Sequence, residues 1–196
     1  MTNKRPQIVV GITGGSGAIY AKRVIDLLAQ ADCHVHVIFS KYGKEVYQHE
    51  VETLGQKLNG KKLIGRDYDH ITFHNNDNMF DALASGSHQV DQMVIIPCST
   101  HTMAAMASGL CNTLLLRSAY VTLKERRPLI VVSRETPVTS IDLENMLKLT
   151  QAGAIICPAS PGFYMKPKTI DDIVDAMASK VLDLLKVPHN LDTRWC

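Results

Sequence analysis

The stretch QIVVGITGGSGAIY, residues 7 to 20, constrains the chain more than any other: an apolar run breaks at a glycine-rich turn and reopens as a helix. Gln7 to Ile12 is β-branched and bounded by glycine, as a buried strand requires. Gly11, Gly14, Gly15 and Gly17 are expected to admit positive φ and a close ligand, and Ser16 sets a hydroxyl beside the first free N–H groups of the helix. N–H donors and the positive end of a helix dipole converge there, which suits a phosphate. An ordinary strand-to-helix turn needs fewer glycines, so four in seven residues favour an anion site at Gly14 to Gly17.

The spacing is not that of a dinucleotide fingerprint. Read from Gly15, G-x-G-x-x-G needs glycine or alanine at position 20, which is Tyr20. The second expected strand, His34 to Phe39, runs into Ser40 and Lys41 where an acid for the ribose diol would stand. A ligand with a single phosphate, such as flavin mononucleotide (FMN), fits better than NAD. A chain of 196 residues with 45% hydrophobic content suits one domain. A net charge of +2 with both signs interspersed marks neither nucleic acid nor an anionic membrane as partner. The N-terminal apolar run is too short for a signal peptide, and no stretch nears the ~18 apolar residues of a membrane span, so a cytoplasmic protein is expected. Five cysteines without a C-x-x-C pair read as reduced thiols, and no histidine, cysteine and carboxylate spacing marks a metal site.

Further along, the periodicity predicts helix 1 with Tyr20, Val24, Leu27, Leu28 and Ala31 on one stripe, and a helical stretch over 42–54. Residues 55–81 read as loop with a short strand at Leu63 to Ile64, and a helix is expected from Asp81 to Gly86. Strands follow at Gln92 to Pro97, Leu129 to Ser133 and Ala154 to Cys157, with helices over 112–123, 139–152 and from Ile170 onward. Such alternation predicts an α/β fold, a doubly wound, mostly parallel sandwich.

Ligands of open α/β sheets bind beyond the carboxyl ends of the strands. Cys98-Ser99-Thr100-His101-Thr102 follows one strand there, and a lone N-cap would not need three hydroxyls. The FMN ring is therefore expected near Ser99 to Thr102. Arg134 and Glu135 follow another strand at the same edge. The loop PASPGFYMKPK offers Phe163 and Tyr164 either as cover for an aromatic ligand or as core anchors.

Taken together, GITGGSGAIY, PCSTHTMAAMASG, LKERRPLIVVSRETP, ENMLKLTQAGAIICPASPGFY and the terminal RW resemble the flavin prenyltransferase family, in order and with matching spacing from Val9 to Trp195. The resemblance implies a Rossmann-like, flavodoxin-like sandwich assembled as a homo-oligomer, commonly a dodecamer, with sites where subunits meet. It implies reduced FMN and dimethylallyl phosphate as substrates, joined at flavin N5 and C6 without a metal, the product passing to a partner decarboxylase. FMN contacts are implied at Gly14, Gly15, Ser16, Ser40, Ser99, Thr100, His101, Thr102 and Arg134. The prenyl phosphate falls to Lys124, Tyr164 and Lys180, with Arg134 and Arg117 nearby. Glu135 matches the family's acid/base residue, Ser16 and Glu50 a proton relay near N5, with Glu50 from its own or a neighbouring subunit, and Trp195 an aromatic that closes the site. Gly15 stands where many members have alanine, His101 where glycine is common, and Lys180 where arginine is usual, which turns a bidentate phosphate contact into a point charge. Two rivals remain: a flavin-dependent cysteine decarboxylase, whose asparagine-bearing loop is here PCSTHT, and a subunit that only carries FMN.

Overall fold

The computed structural model describes residues 5–51, 68–191 and 193. Its centre is a six-stranded sheet, β1 (Gln7–Ile12), β2 (His34–Phe39), β3 (Ile71–His74), β4 (Gln92–Cys98), β5 (Leu129–Ser133) and β6 (Ile155–Ile156). Spatial order is β3-β2-β1-β4-β5-β6 and every pairing is parallel. This is the doubly wound order whose switch point lies between β1 and β4, so the loops leaving those two strands flank one crevice. Seven helical segments surround the sheet among the described residues: α1 (Ala18–Gln30), α2 (Lys41–Val51), a 3-10 turn (Ala82–Ala84), α3 (Thr100–Ala107), α4 (Leu114–Lys124), α5 (Ser140–Gln151) and α6 (Ile170–Leu184).

Alternation along the strands builds the two layers. Ile8, Val10 and Ile12 of β1 join Val24, Ile25 and Leu28 of α1 and Met177 and Val181 of α6. On the other face Val9 joins Met103 of α3, Leu115 and Ala119 of α4 and Leu149 of α5. Central strands are buried on both faces, which is why they read as unbroken apolar runs.

Two expectations are corrected. β3 lies in a region read as loop; it is an edge strand whose four residues are all half-buried, so it carries no strong apolar signature. The helix expected from Asp81 to Gly86 is only the 3-10 turn. Asp81 caps it by accepting from the Leu83 N–H, but the next carbonyls are taken from outside: Ser118 donates to Leu83, Arg117 to Ala84 and Arg127 to Gly86 and His88. On α5, Ile141, Leu143 and Leu147 are 55–66% exposed, and Leu149 is the leucine that enters the core. The expected strand at Leu63 to Ile64 and Trp195 lie outside the described residues.

His34 and His36 share the sheet face of the 3-10 turn. His36 is 7% exposed, and its ring nitrogens meet His74 Nε2 at 2.9 Å and Gln7 Oε1 at 3.0 Å. Both are partnered strand-face residues, and no group of three or more histidines, cysteines and carboxylates among the described residues could hold a metal. Cys33, Cys98, Cys111 and Cys157 are free thiols. No helix among the described residues is long and apolar enough to cross a membrane.

Candidate functional site

The turn after β1 uses its glycines differently from expectation. Among Gly11, Gly14, Gly15 and Gly17 only Gly17 has positive φ, at 109°. Gly14 serves close approach instead, since a Cβ there would lie 2.9 Å from the Tyr42 Cβ at the start of α2. Gly17 is also the N-cap of α1 and has no side-chain cap of its own. The open N–H groups that follow are bound by a carboxylate from 33 residues away: Glu50 accepts from Gly17 N–H at 2.9 Å and from Ala18 N–H at 2.7 Å. The group that meets this helix terminus within the chain is therefore the Glu50 carboxylate, at the place where the glycines led a phosphate to be expected. Ser16 remains exposed on the turn.

Beyond β4, Ser99 caps α3, accepting from the Thr102 N–H at 3.3 Å and donating to the Thr102 hydroxyl at 3.1 Å. His101 is exposed, and the first N–H groups of α3 have no helical acceptor. Ser40, at the end of β2, accepts from the Gly43 N–H at 3.0 Å and so also caps its helix. Arg134 reaches across from the end of β5, and its Nε donates to the Ser16 carbonyl at 3.2 Å. Gly14 to Gly17, Ser40, Ser99 to Thr102 and Arg134 thus gather at the carboxyl edge of the sheet, as expected. Glu135 is exposed; its carboxylate accepts only from the N–H of Thr136, at 3.2 Å, and forms no ion pair among the described residues.

The other donor-phosphate residues are divided between two places. Tyr164 and Lys180 line an open groove of about 730 Å³ with Ile156, Cys157, Pro161 and Met177. That groove starts beside the end of β5, where the Ala159 N–H donates to the Ser133 carbonyl. Burial raises the Cys157 thiol, and the Lys180 charge partly offsets it. Phe163 is 71% and Tyr164 55% exposed, so they are not core anchors. Lys124 is the last residue of α4 and precedes β5, so it lies at the amino edge; five residues of β5 at roughly 3.3 Å each put it about 16 Å from the Arg134 end. There it is ion-paired to Glu125, whose carboxyl it holds below the usual range. Arg117 is likewise engaged elsewhere, donating to the Ala84 carbonyl at 3.0 Å and lying 5.7 Å from the Tyr120 ring centre. Within the chain these contacts hold it away from Arg134.

Two residues at the site had no motif to announce them. Thr13 is buried between the two loops and bonds both; a polar residue immediately past an apolar strand was its one signal. Tyr20 was legible only as part of the α1 stripe, yet its ring lies so close to Gly17 that a Cβ there would be 2.9 Å from it. Burial raises the Tyr20 phenol, and the nearby Arg134 charge partly offsets this.

Comparison with known proteins adds the following. The Flavoprotein family model matches residues 1–182. The flavin prenyltransferase UbiX of Halalkalibacterium halodurans is 42% identical over 197 residues, covering 100% of this chain and 96% of that one. Its counterpart in Pseudomonas aeruginosa is 41% identical over 195 residues, covering 96% and 93%. AnUbiX (PadA1), solved in complex with FMN and dimethylallyl pyrophosphate, superposes with a TM-score of 0.87 at 38% identity, covering 98% of each chain. The dodecameric FMN-dependent UbiX-like decarboxylase of Escherichia coli O157:H7 gives 0.86 at 34% identity, covering 96% and 98%. The peptidyl-cysteine decarboxylase EpiD matches at 0.63 with 16% identity, a likeness of fold alone.

Proposed function

The chain belongs to the Flavoprotein family and, within it, to the flavin prenyltransferases, and from that membership we propose that it joins a dimethylallyl group from dimethylallyl phosphate to N5 and C6 of reduced FMN. The observation that carries the reading is the convergence of the glycine turn, the Ser99 to Thr102 loop and Arg134 at one crevice, tied by the Arg134 to Ser16 bond. The residues present fit FMN. Gly14 and Gly17 let Tyr42 and Tyr20 pack close against the turn, and Ser16 presents an exposed hydroxyl on it. Because Glu50 already holds the α1 terminus, the phosphate goes to the first turn of α3, with Ser40 at the neighbouring strand end, and the ring lies along the turn near Ser16. This reverses the orientation expected from the glycines alone.

When bound, reduced flavin supplies the nucleophilic nitrogen and carbon to which the prenyl group is joined. The protein's task is to stabilise charge on the departing phosphate and to move protons. Tyr164 and Lys180 line one groove and serve as phosphate ligands within the chain. Glu135, without a cation partner among the described residues, is the group able to protonate the leaving phosphate and later to accept a proton. Lys124 enters this scheme from a second copy, since its own β5 holds it at the far edge. The outward apolar residues Ile141, Leu143 and Leu147 of α5 suit contact between copies, and a dodecamer in the cytoplasm is the assembly proposed, delivering its product to a decarboxylase. Incubation with FMN, a reductant and dimethylallyl phosphate should yield a flavin heavier by C5H8. Tight FMN binding with unchanged flavin mass would instead identify a carrier subunit.

A further inference from the structure

β1 and β4 pair in parallel as far as Gly11 and Ile95, and beyond that point the ladder ends while both chains run on toward the crevice. Thr13 takes over the connection. It is 1% exposed; its hydroxyl donates to the Pro97 carbonyl at 2.8 Å and accepts from the Ser99 N–H at 2.7 Å. Its own N–H donates to the same Pro97 carbonyl at 3.2 Å. Ser99 is the cap that sets the first turn of α3, so one buried hydroxyl links the residue preceding the glycine turn to the residue that orients the second loop. Hydrogen bonds of a buried hydroxyl are directional, and an apolar isostere leaves both backbone partners without it.

We propose that Thr13 is a positioning residue that fixes the separation of the two flavin loops and thereby sets affinity for FMN. The inference rests on the FMN reading above and goes beyond it, because Thr13 itself touches no ligand in that scheme. Thr13→Val keeps the shape and removes the hydroxyl, so the dissociation constant for FMN should rise by about tenfold or more. Thr13→Ser, which restores the hydroxyl, should return it to the wild-type range. Amide exchange at Ser99 should quicken in Thr13→Val and not in Thr13→Ser. Thr13→Ala, smaller at the two facing backbone groups, is measured in parallel in case the valine variant does not fold. A variant without the hydroxyl that is less heat-stable, yet binds FMN in its folded fraction as the wild type does, would show a purely structural threonine and overturn the proposal. No FMN binding by the wild-type protein would be a different failure: it removes the functional reading, and this inference with it.

Discussion

The two edges of the sheet use their charged residues in opposite ways. At the amino edge charged side chains are engaged within the chain: Arg127 on the Gly86 and His88 carbonyls, Asp91 on the Gln7 N–H, Lys124 with Glu125. At the carboxyl edge Glu135 has no ion pair among the described residues, and Arg134 touches only a carbonyl. Charges at the first edge organise the chain, and those at the second are available to a ligand. Lys124 is the exception, since the function proposed above gives it a catalytic place and the fold gives it the structural edge. Both hold if the edge of one copy meets the crevice of another.

The sharpest test of the contrast is Glu135→Gln, which preserves shape and hydrogen bonding but cannot titrate. Turnover is expected to fall by roughly 10²–10⁴, the cost of losing a general acid or base, with FMN affinity and melting temperature nearly unchanged. Full turnover in a flavin-loaded Glu135→Gln protein would place this carboxylate with the structural charges after all.

A smaller effect, but a more direct one on the contrast, comes from mixing. Lys124→Met should lower activity with little loss of FMN. Co-assembled with Glu135→Gln subunits, it should regain activity, because some sites then draw Lys124 and Glu135 from different, intact copies. Mixed assemblies no more active than the two variants separately would mean that Lys124 does not act across subunits.

How legible was this from the residues? Where burial is two-sided the reading was good: β1 and β5 are apolar nearly throughout, β2 is apolar apart from its two histidines, and all three lie where the pattern put them. β3 was missed because an edge strand half-buried along its length looks like loop. The site divides the same way. Ser99, Arg134 and Glu135 were legible because they directly follow strands, which fixes their edge. Glu50 at the α1 terminus was not, since it is a contact across 33 residues that no local pattern records. The distance between Lys124 and Arg134 was implicit: residues flanking one parallel strand must lie at opposite edges.

The histidine cluster between β2 and the 3-10 turn gives a pH test that should leave the crevice aside. Burial, then the neighbouring His34, His74 and His88, push His36 down to about 3. The native state therefore disfavours its proton while the unfolded chain accepts it near the usual value of about 6.5. Below that value the unfolded state binds more protons, so the stability associated with neutral His36 is complete above about pH 6.5 and is lost progressively toward pH 3. His36→Gln should flatten the melting temperature between pH 7 and 5 relative to the wild type. An identical pH profile in both proteins would show that His36 carries none of this dependence.

Glu50 carries the smallest expected effect and is a carboxyl-edge charge that, like those of the other edge, holds backbone. Glu50→Gln keeps an acceptor for Gly17 and Ala18 but removes the charge from the helix terminus, which should cost about 0.3–1 kcal/mol, read as a modest drop in melting temperature. Its effect on FMN decides where the ligand's phosphate lies. With the phosphate at α3, neutralising Glu50 leaves FMN affinity unchanged; with the phosphate at the glycine turn, it removes a competing anion, and affinity should improve. Turnover measured on the same protein separates the remaining possibility. If Glu50 relays a proton through Ser16, prenyl transfer falls while FMN affinity holds; if it only satisfies the helix terminus, transfer by the folded enzyme is unaltered. Tighter FMN binding by Glu50→Gln would return the phosphate to Gly14 to Gly17 and undo the assignment of the α3 terminus.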